Sequence, residues 1–399
     1  MRPEMELLLC CAHMRLEPER IRRLVSGSID WDFTIEQACR HRLAPLLYWT
    51  LVRPDGPASC RDLLPDGIAE WLDQIFQTTC RRNLLLTEEL YKALKALDAK
   101  GIAAITYKGP VLAARYYGHL GLRDFADLDI LVHPRDAPQA ASVLMASDYL
   151  PSLYRNRSGM QFAFQFARAF RQEVSYLSKD GSVEIDLHWA LMPESFALCS
   201  VERQMWLRAK TVSVFGQNIL GVSREDLLLI ACMHGSKHRW ERLSWVRDVA
   251  AVLASDGGSN EEIDWDVVEK RASEMRMRRA LYLGLSLAGT LLGAALPHTV
   301  RWHLEGETAM WALGADIYAT FCSGGGPATG SFAAGRFLAR SREDWRDGLR
   351  CWVNLITRPT MAEWLALRLP RQLFPLYYLL RPVRLLAKHV AGYGETRQD

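Results

Sequence analysis

Apolar positions along this chain recur at two different periods, and the change of period marks its organisation. Ile35, Ala38, Cys39, Leu43, Leu46 and Leu47 follow helical spacing. Leu86, Leu90, Leu94 and Leu97 form a second stripe, which predicts a helix over 84–99, with Gly101 beyond it as the left-handed terminator. The period then shortens. Residues 102–107 read as a strand that stops at Lys108-Gly109-Pro110, and 111–117 as a short helix. Ile130, Leu131 and Val132 close a strand that follows Phe125. Residues 134–146 read as a helix, 170–177 as a strand, Lys179-Asp180-Gly181 as a hairpin turn and 182–189 as the return strand. On that return strand Val183, Ile185 and Leu187 face one way, and Glu184, Asp186 and His188 the other. From Ser223 the pattern is helical to the end, broken by a Gly-rich stretch at 323–330. The reading is an α+β protein. A helical region over 1–98 precedes a mixed-sheet core at 99–222; a helical domain at 223–320, a linker at 321–331 and a helical tail at 332–399 follow.

Composition narrows the class. With 399 residues, 49% of them hydrophobic and 24% charged, the chain has the make-up of a soluble globular protein with a sizeable core. A net charge of +3 is too small to point to nucleic acid. The cysteines number 9, with no Cys-x-x-Cys, which argues against a disulfide framework or zinc ribbon and for reduced thiols in a cytoplasm. Glu4 and Glu6 ahead of a short apolar stretch do not make a signal peptide. The apolar run at 280–296 falls short of the roughly 20 residues that span a bilayer, so it reads as a buried helix. The tail interleaves Arg368, Arg371, Phe374, Tyr377, Tyr378, Arg381, Arg384 and Lys388. Such a helix can lie on an anionic membrane; packing of its apolar face on the core, with the arginines in water, is the preferred reading.

The chemistry concentrates on Asp127 and Asp129. Two residues apart on a strand, their carboxylates share a face about 6–7 Å apart. Like charges placed so call for a cation between them, and carboxylate oxygens suit Mg²⁺ or Mn²⁺. Asp186, between Ile185 and Leu187, is the candidate third acid, with Glu184 in reserve. Lys108-Gly109 ends a strand and opens a helix, where a phosphate can dock, and Arg123 offers a planar fork for one. His234 and His238 lie one helical turn apart. Packing beside Trp240 and Trp245 is the preferred reading. A metal-dependent phosphohydrolase set with Asp248 is the alternative.

These residues in this order, Lys108-Gly109, Arg123, Asp127-Leu-Asp129, Ile185-Asp186-Leu-His188-Trp189 and His234-x-x-Lys237-His238-x-Trp240, resemble the uncharacterised nucleotidyltransferase family of the DNA polymerase beta-like superfamily. Trp31, His41 and Pro45 at one end and Leu369-Pro370 and Leu380-Arg381-Pro382 at the other extend the resemblance over most of the chain. It implies a nucleotidyltransferase-type mixed sheet and metal-dependent transfer of a nucleoside monophosphate from an NTP, with ATP the first candidate. The acceptor is an unidentified small molecule or peptide. Asp127 and Asp129 would hold two divalent metals between them, Asp186 would complete the second metal site, and Lys108, Gly109, Arg123 and Lys237 would contact the nucleotide. Where the wider superfamily carries a Gly-Ser pair before the paired acids, this chain has Lys108-Gly109-Pro110. A non-catalytic adaptor that keeps the fold and binds a peptide or membrane is a further alternative.

Overall fold

The computed structural model describes residues 1–152, 157–170, 172–191, 199–254, 262–298, 300, 308–325 and 331–390. Its seven described strands are β1 (Ala104–Thr106), β2 (Asp127–Val132), β3 (Tyr149–Pro151), β4 (Glu173–Ser178), β5 (Glu184–His188), β6 (Lys210–Val214) and β7 (Gln217–Gly221). The first five form one sheet in the order β1-β2-β5-β4-β3, in which β2 and β5 run parallel and every other pair antiparallel. Helices flank this mixed sheet, which is the α+β arrangement read from the sequence.

Both faces of the sheet are used. Leu128, Ile130, Val132, Ile185 and Leu187 are buried on one face, against the Ile68–Asp98 helix through Leu86, Leu90 and Leu97 and against the Ala137–Ala146 helix through Ala140 and Leu144. Each such side chain contributes about 1.5–3 kcal/mol by leaving water. Ile105, Tyr107 and Leu131 face the other way and join the core formed by the N-terminal helices and the helices Arg224–Lys237, Leu243–Ala254 and Arg278–Leu292. Residues of odd number on β2 therefore look toward a helical body, and the acids share that side.

The 31-residue helix Ile68–Asp98 begins well before the predicted residue 84. Its first half buries Thr79 and Asn83 alongside Leu72 and Phe76, so polar core positions hide the stripe. Asn83 has a task there: its amide donates to the carbonyls of Leu120 and Arg123, each at 2.8 Å, and pins the loop that enters β2. Gly101 is left-handed as expected, at φ +69°. Residue 170 ends a helix, Arg157–Phe170, instead of opening a strand, and β4 starts at Glu173. The β4–β5 hairpin forms across Asp180 and Gly181 as predicted. The β6–β7 hairpin, which turns at Phe215 and Gly216 with φ of +45° and +84°, escaped prediction because Phe-Gly is a weak turn signal.

The run at 280–296 is the buried helix Arg278–Leu292, closed by Gly293. No described helix is long and apolar enough to cross a membrane. Residues 326–330 of the predicted linker lie outside the described residues. In the tail Trp364, Phe374 and Tyr377 are buried against Phe166 and Phe170, so the packing reading holds for them, while Leu379, Val383 and Leu386 on the Tyr377–Val390 helix are exposed.

Candidate active site

The parallel pairing of β2 with β5 sets Asp129 beside Asp186 and Asp127 beside Glu184. The antiparallel pairing of β4 with β5 sets Glu173 beside His188. One ligand atom from each of Asp129, Asp186 and His188 lies within 4.8 Å of the others, the one such group of three among the described residues. Asp127 lines the same cavity but stays outside that group, and Glu184 is absent from the lining.

The charges interlock. Asp129 Oδ1 accepts from Lys108 Nζ at 3.1 Å and from His188 Nε2 at 3.0 Å. Burial alone would raise the Asp129 pKa; Lys108 and His188 together hold it far below the carboxylate range. Burial would likewise discharge His188, but Asp129 on one nitrogen and Glu173, 3.2 Å from Nδ1, on the other push its pKa up to about 9. The ring is then an imidazolium that donates from both nitrogens. Asp186 is the contrast. Burial lifts it to about 6, and its Oδ1 is buried with no hydrogen-bond partner.

These groups floor a cavity of about 340 Å³, and its opposite wall is helical, with Lys237, His234, His238, Arg242 and Trp245. Arg42 joins from the N-terminal helices. The segment after the Arg224–Lys237 helix is shaped by Trp240, which is 1% exposed and lies under Gly235, where an added Cβ would sit 2.3 Å from the indole. Arg239 and Trp240 both adopt φ of +56°. Two consecutive non-glycine residues in that region are strained, and burial of the indole holds them there. Gly109, at φ +48° and ψ −120°, uses a conformation open to glycine at the entry to the next helix.

Residues 27–293 match the family described as uncharacterised nucleotidyltransferase. The chain belongs to that family. Every residue that lines the cavity, from Arg42 to Trp245, falls within the matched stretch, so the nucleotidyltransferase segment builds this site by itself. No curated protein matches the chain.

Of the residues singled out from the sequence, Lys108, Gly109, Arg123, Lys237, His234 and His238 all line the cavity. Arg123 is already gripped. Its Nε and Nη2 each donate to Asp248 at 2.8 Å, Tyr117 adds a hydroxyl at 2.7 Å, and Arg123 Nη1 is buried without a partner. Asp248 thus serves Arg123, and among the described residues it makes no metal-competent group with His234 and His238. The two imidazoles pack against each other and against Trp245 in tilted and edge-to-face contacts, at centroid distances of 4.7 to 5.3 Å. Burial, then Lys237 and Lys108, drives His238 down to about 3, and burial also lowers His234, so both rings are neutral. Sequence reasoning missed Arg42, Tyr107, Glu173 and Arg242. Of these, Glu173 was within reach, because the predicted hairpin register places it opposite His188.

Proposed function

We propose that the protein transfers a nucleoside monophosphate from an NTP, with ATP the first candidate, to a hydroxyl-bearing acceptor with a divalent metal as cofactor. The observation that carries the reading is the meeting of Asp129, Asp186 and His188 beneath a wall that presents Lys237 and Arg242. The residues fit a hard divalent ion: Asp186 pairs across the strands with ionised Asp129 and has a buried Oδ1 with no hydrogen-bond partner, with Asp127 on the same strand face. Asp129 and Asp186 would hold it, with Asp127 beside them, and Mg²⁺ and Mn²⁺ suit the set. Such an ion, when bound, offsets charge on the phosphates and on the attacking oxygen.

The chain's own residues do the rest. Lys108 and protonated His188 keep Asp129 ionised. Lys237, Arg242 and Arg42 supply positive charge for the triphosphate. The acceptor oxygen bonds to the α-phosphorus, its proton passes to solvent, and the bond to pyrophosphate breaks with its electron pair on the leaving oxygen. Pyrophosphate release with Mg²⁺, NTPs and candidate acceptors tests the reading. Asp127→Asn and Asp129→Asn should each abolish release in folded protein; full activity in either variant refutes it. An adaptor would bind a partner and no nucleotide.

A further inference from the structure

A second cavity, of about 520 Å³, adjoins the first, and the two share Glu173, Leu191 and Lys237 as a common wall. Its remaining lining includes Phe170, Leu338, Leu355 and Met361, with Arg358 and Arg381. Much of it, from Leu338 to Arg381, comes from the C-terminal helices, beyond the stretch 27–293 that carries the family match.

We infer that this second cavity is the acceptor chamber: it takes a small molecule with an apolar body and an anionic group, and delivers the hydroxyl of that molecule to the catalytic cavity past Glu173, Leu191 and Lys237. The assignment as acceptor site rests on the nucleotidyl-transfer reading. Size comes first. A cleft of this volume holds a drug-sized ligand, and its mainly apolar lining with a few polar groups is the usual make-up of such sites. Charge sets the second requirement. The lining carries Lys237 and Arg381 together with Glu173, whose carboxylate lies 3.2 Å from His188 Nδ1. Arg381 meets Glu363 Oε1 at 3.2 Å, but Arg384 meets the same oxygen, so one carboxylate serves two guanidiniums and a positive charge is left over. Arg381 is also 13% exposed along its side chain, and its Nε is buried with no hydrogen-bond partner. Position gives the third. A ligand here borders the catalytic cavity at Glu173, Leu191 and Lys237, which line both. The family segment thus supplies the chemistry, and the added helices supply the choice of acceptor.

The probe is anilinonaphthalene sulfonate, an aromatic anion that brightens in apolar sites, titrated into the full chain with and without Mn²⁺ and a non-hydrolysable ATP analogue. The dye should bind equally well in both conditions. Leu338→Trp and Met361→Trp, which fill the chamber from two different helical segments, should each weaken it about tenfold or more while leaving metal-dependent nucleotide binding unchanged. Uncharged N-phenylnaphthylamine should bind about tenfold less tightly than the sulfonate. Dye affinity unchanged in both variants, displacement of the dye by nucleotide, or equal affinity for the uncharged dye would each overturn the chamber. A chain that binds the dye as described but no nucleotide overturns the nucleotidyl reading, and with it the acceptor assignment, while leaving the chamber in place.

Discussion

Asp129 and Asp186 sit side by side on paired strands, yet their replacement by asparagine should move stability in opposite directions. Asp186 is a strained charge. Burial raises its pKa from 3.8 to about 6, so its contribution is fully present below pH 3.8 and is lost as pH rises through about 6. At about 1.4 kcal/mol per unit, ionised Asp186 costs the metal-free protein up to about 3 kcal/mol above that pH. Asp186→Asn removes the cost and should stabilise the protein at pH 8, a gain that shrinks toward pH 4. Asp129 is the reverse case. It is the partner of buried Lys108 and of the His188 imidazolium, so Asp129→Asn leaves two cations facing a neutral amide. Breaking a buried pair this way costs about 3 kcal/mol or more. Urea unfolding at pH 8 in the presence of a chelator, followed by tryptophan fluorescence, reads both. The midpoint should rise for Asp186→Asn and fall for Asp129→Asn. Shifts of the same sign would refute the electrostatic description of the site.

Two further outcomes follow from the same contacts. Asp248 accepts three hydrogen bonds from Arg123 and Tyr117, so Asp248→Ala should lower unfolding stability by about 3–5 kcal/mol, and adding Arg123→Met should recover part of the loss. His188, raised from 6.5 to about 9, contributes stability that is complete below pH 6.5 and lost as pH rises through about 9, up to about 3 kcal/mol. His188→Gln should flatten denaturation midpoints measured across that window.

The order of the acids was legible because a strand has a period of two. Once Ile185 and Leu187 are assigned to the core, Asp186 and His188 must face the other way, and β2 obeys the same rule through Leu128 and Ile130. What stayed hidden depends on contacts distant in sequence. Arg123 reads as a free phosphate fork until Asp248, 125 residues later, takes its Nε and Nη2 donors. Arg42 enters the cavity only because the N-terminal helices pack on the helical body, where His41 accepts from the backbone of Ser244. The three-residue strands β1 and β3 carry too few positions for periodicity to fix their ends. The strained turn at Arg239 and Trp240 has no local signal, because burial of the indole beneath Gly235 imposes it.

The most direct test of the central claim is calorimetric titration of the wild-type chain with a non-hydrolysable ATP analogue, with and without Mg²⁺, repeated on Asp129→Asn and Asp186→Asn. The account predicts binding that needs the metal and is at least about tenfold weaker in each variant. Metal-independent binding, or affinity retained by both variants, would contradict it.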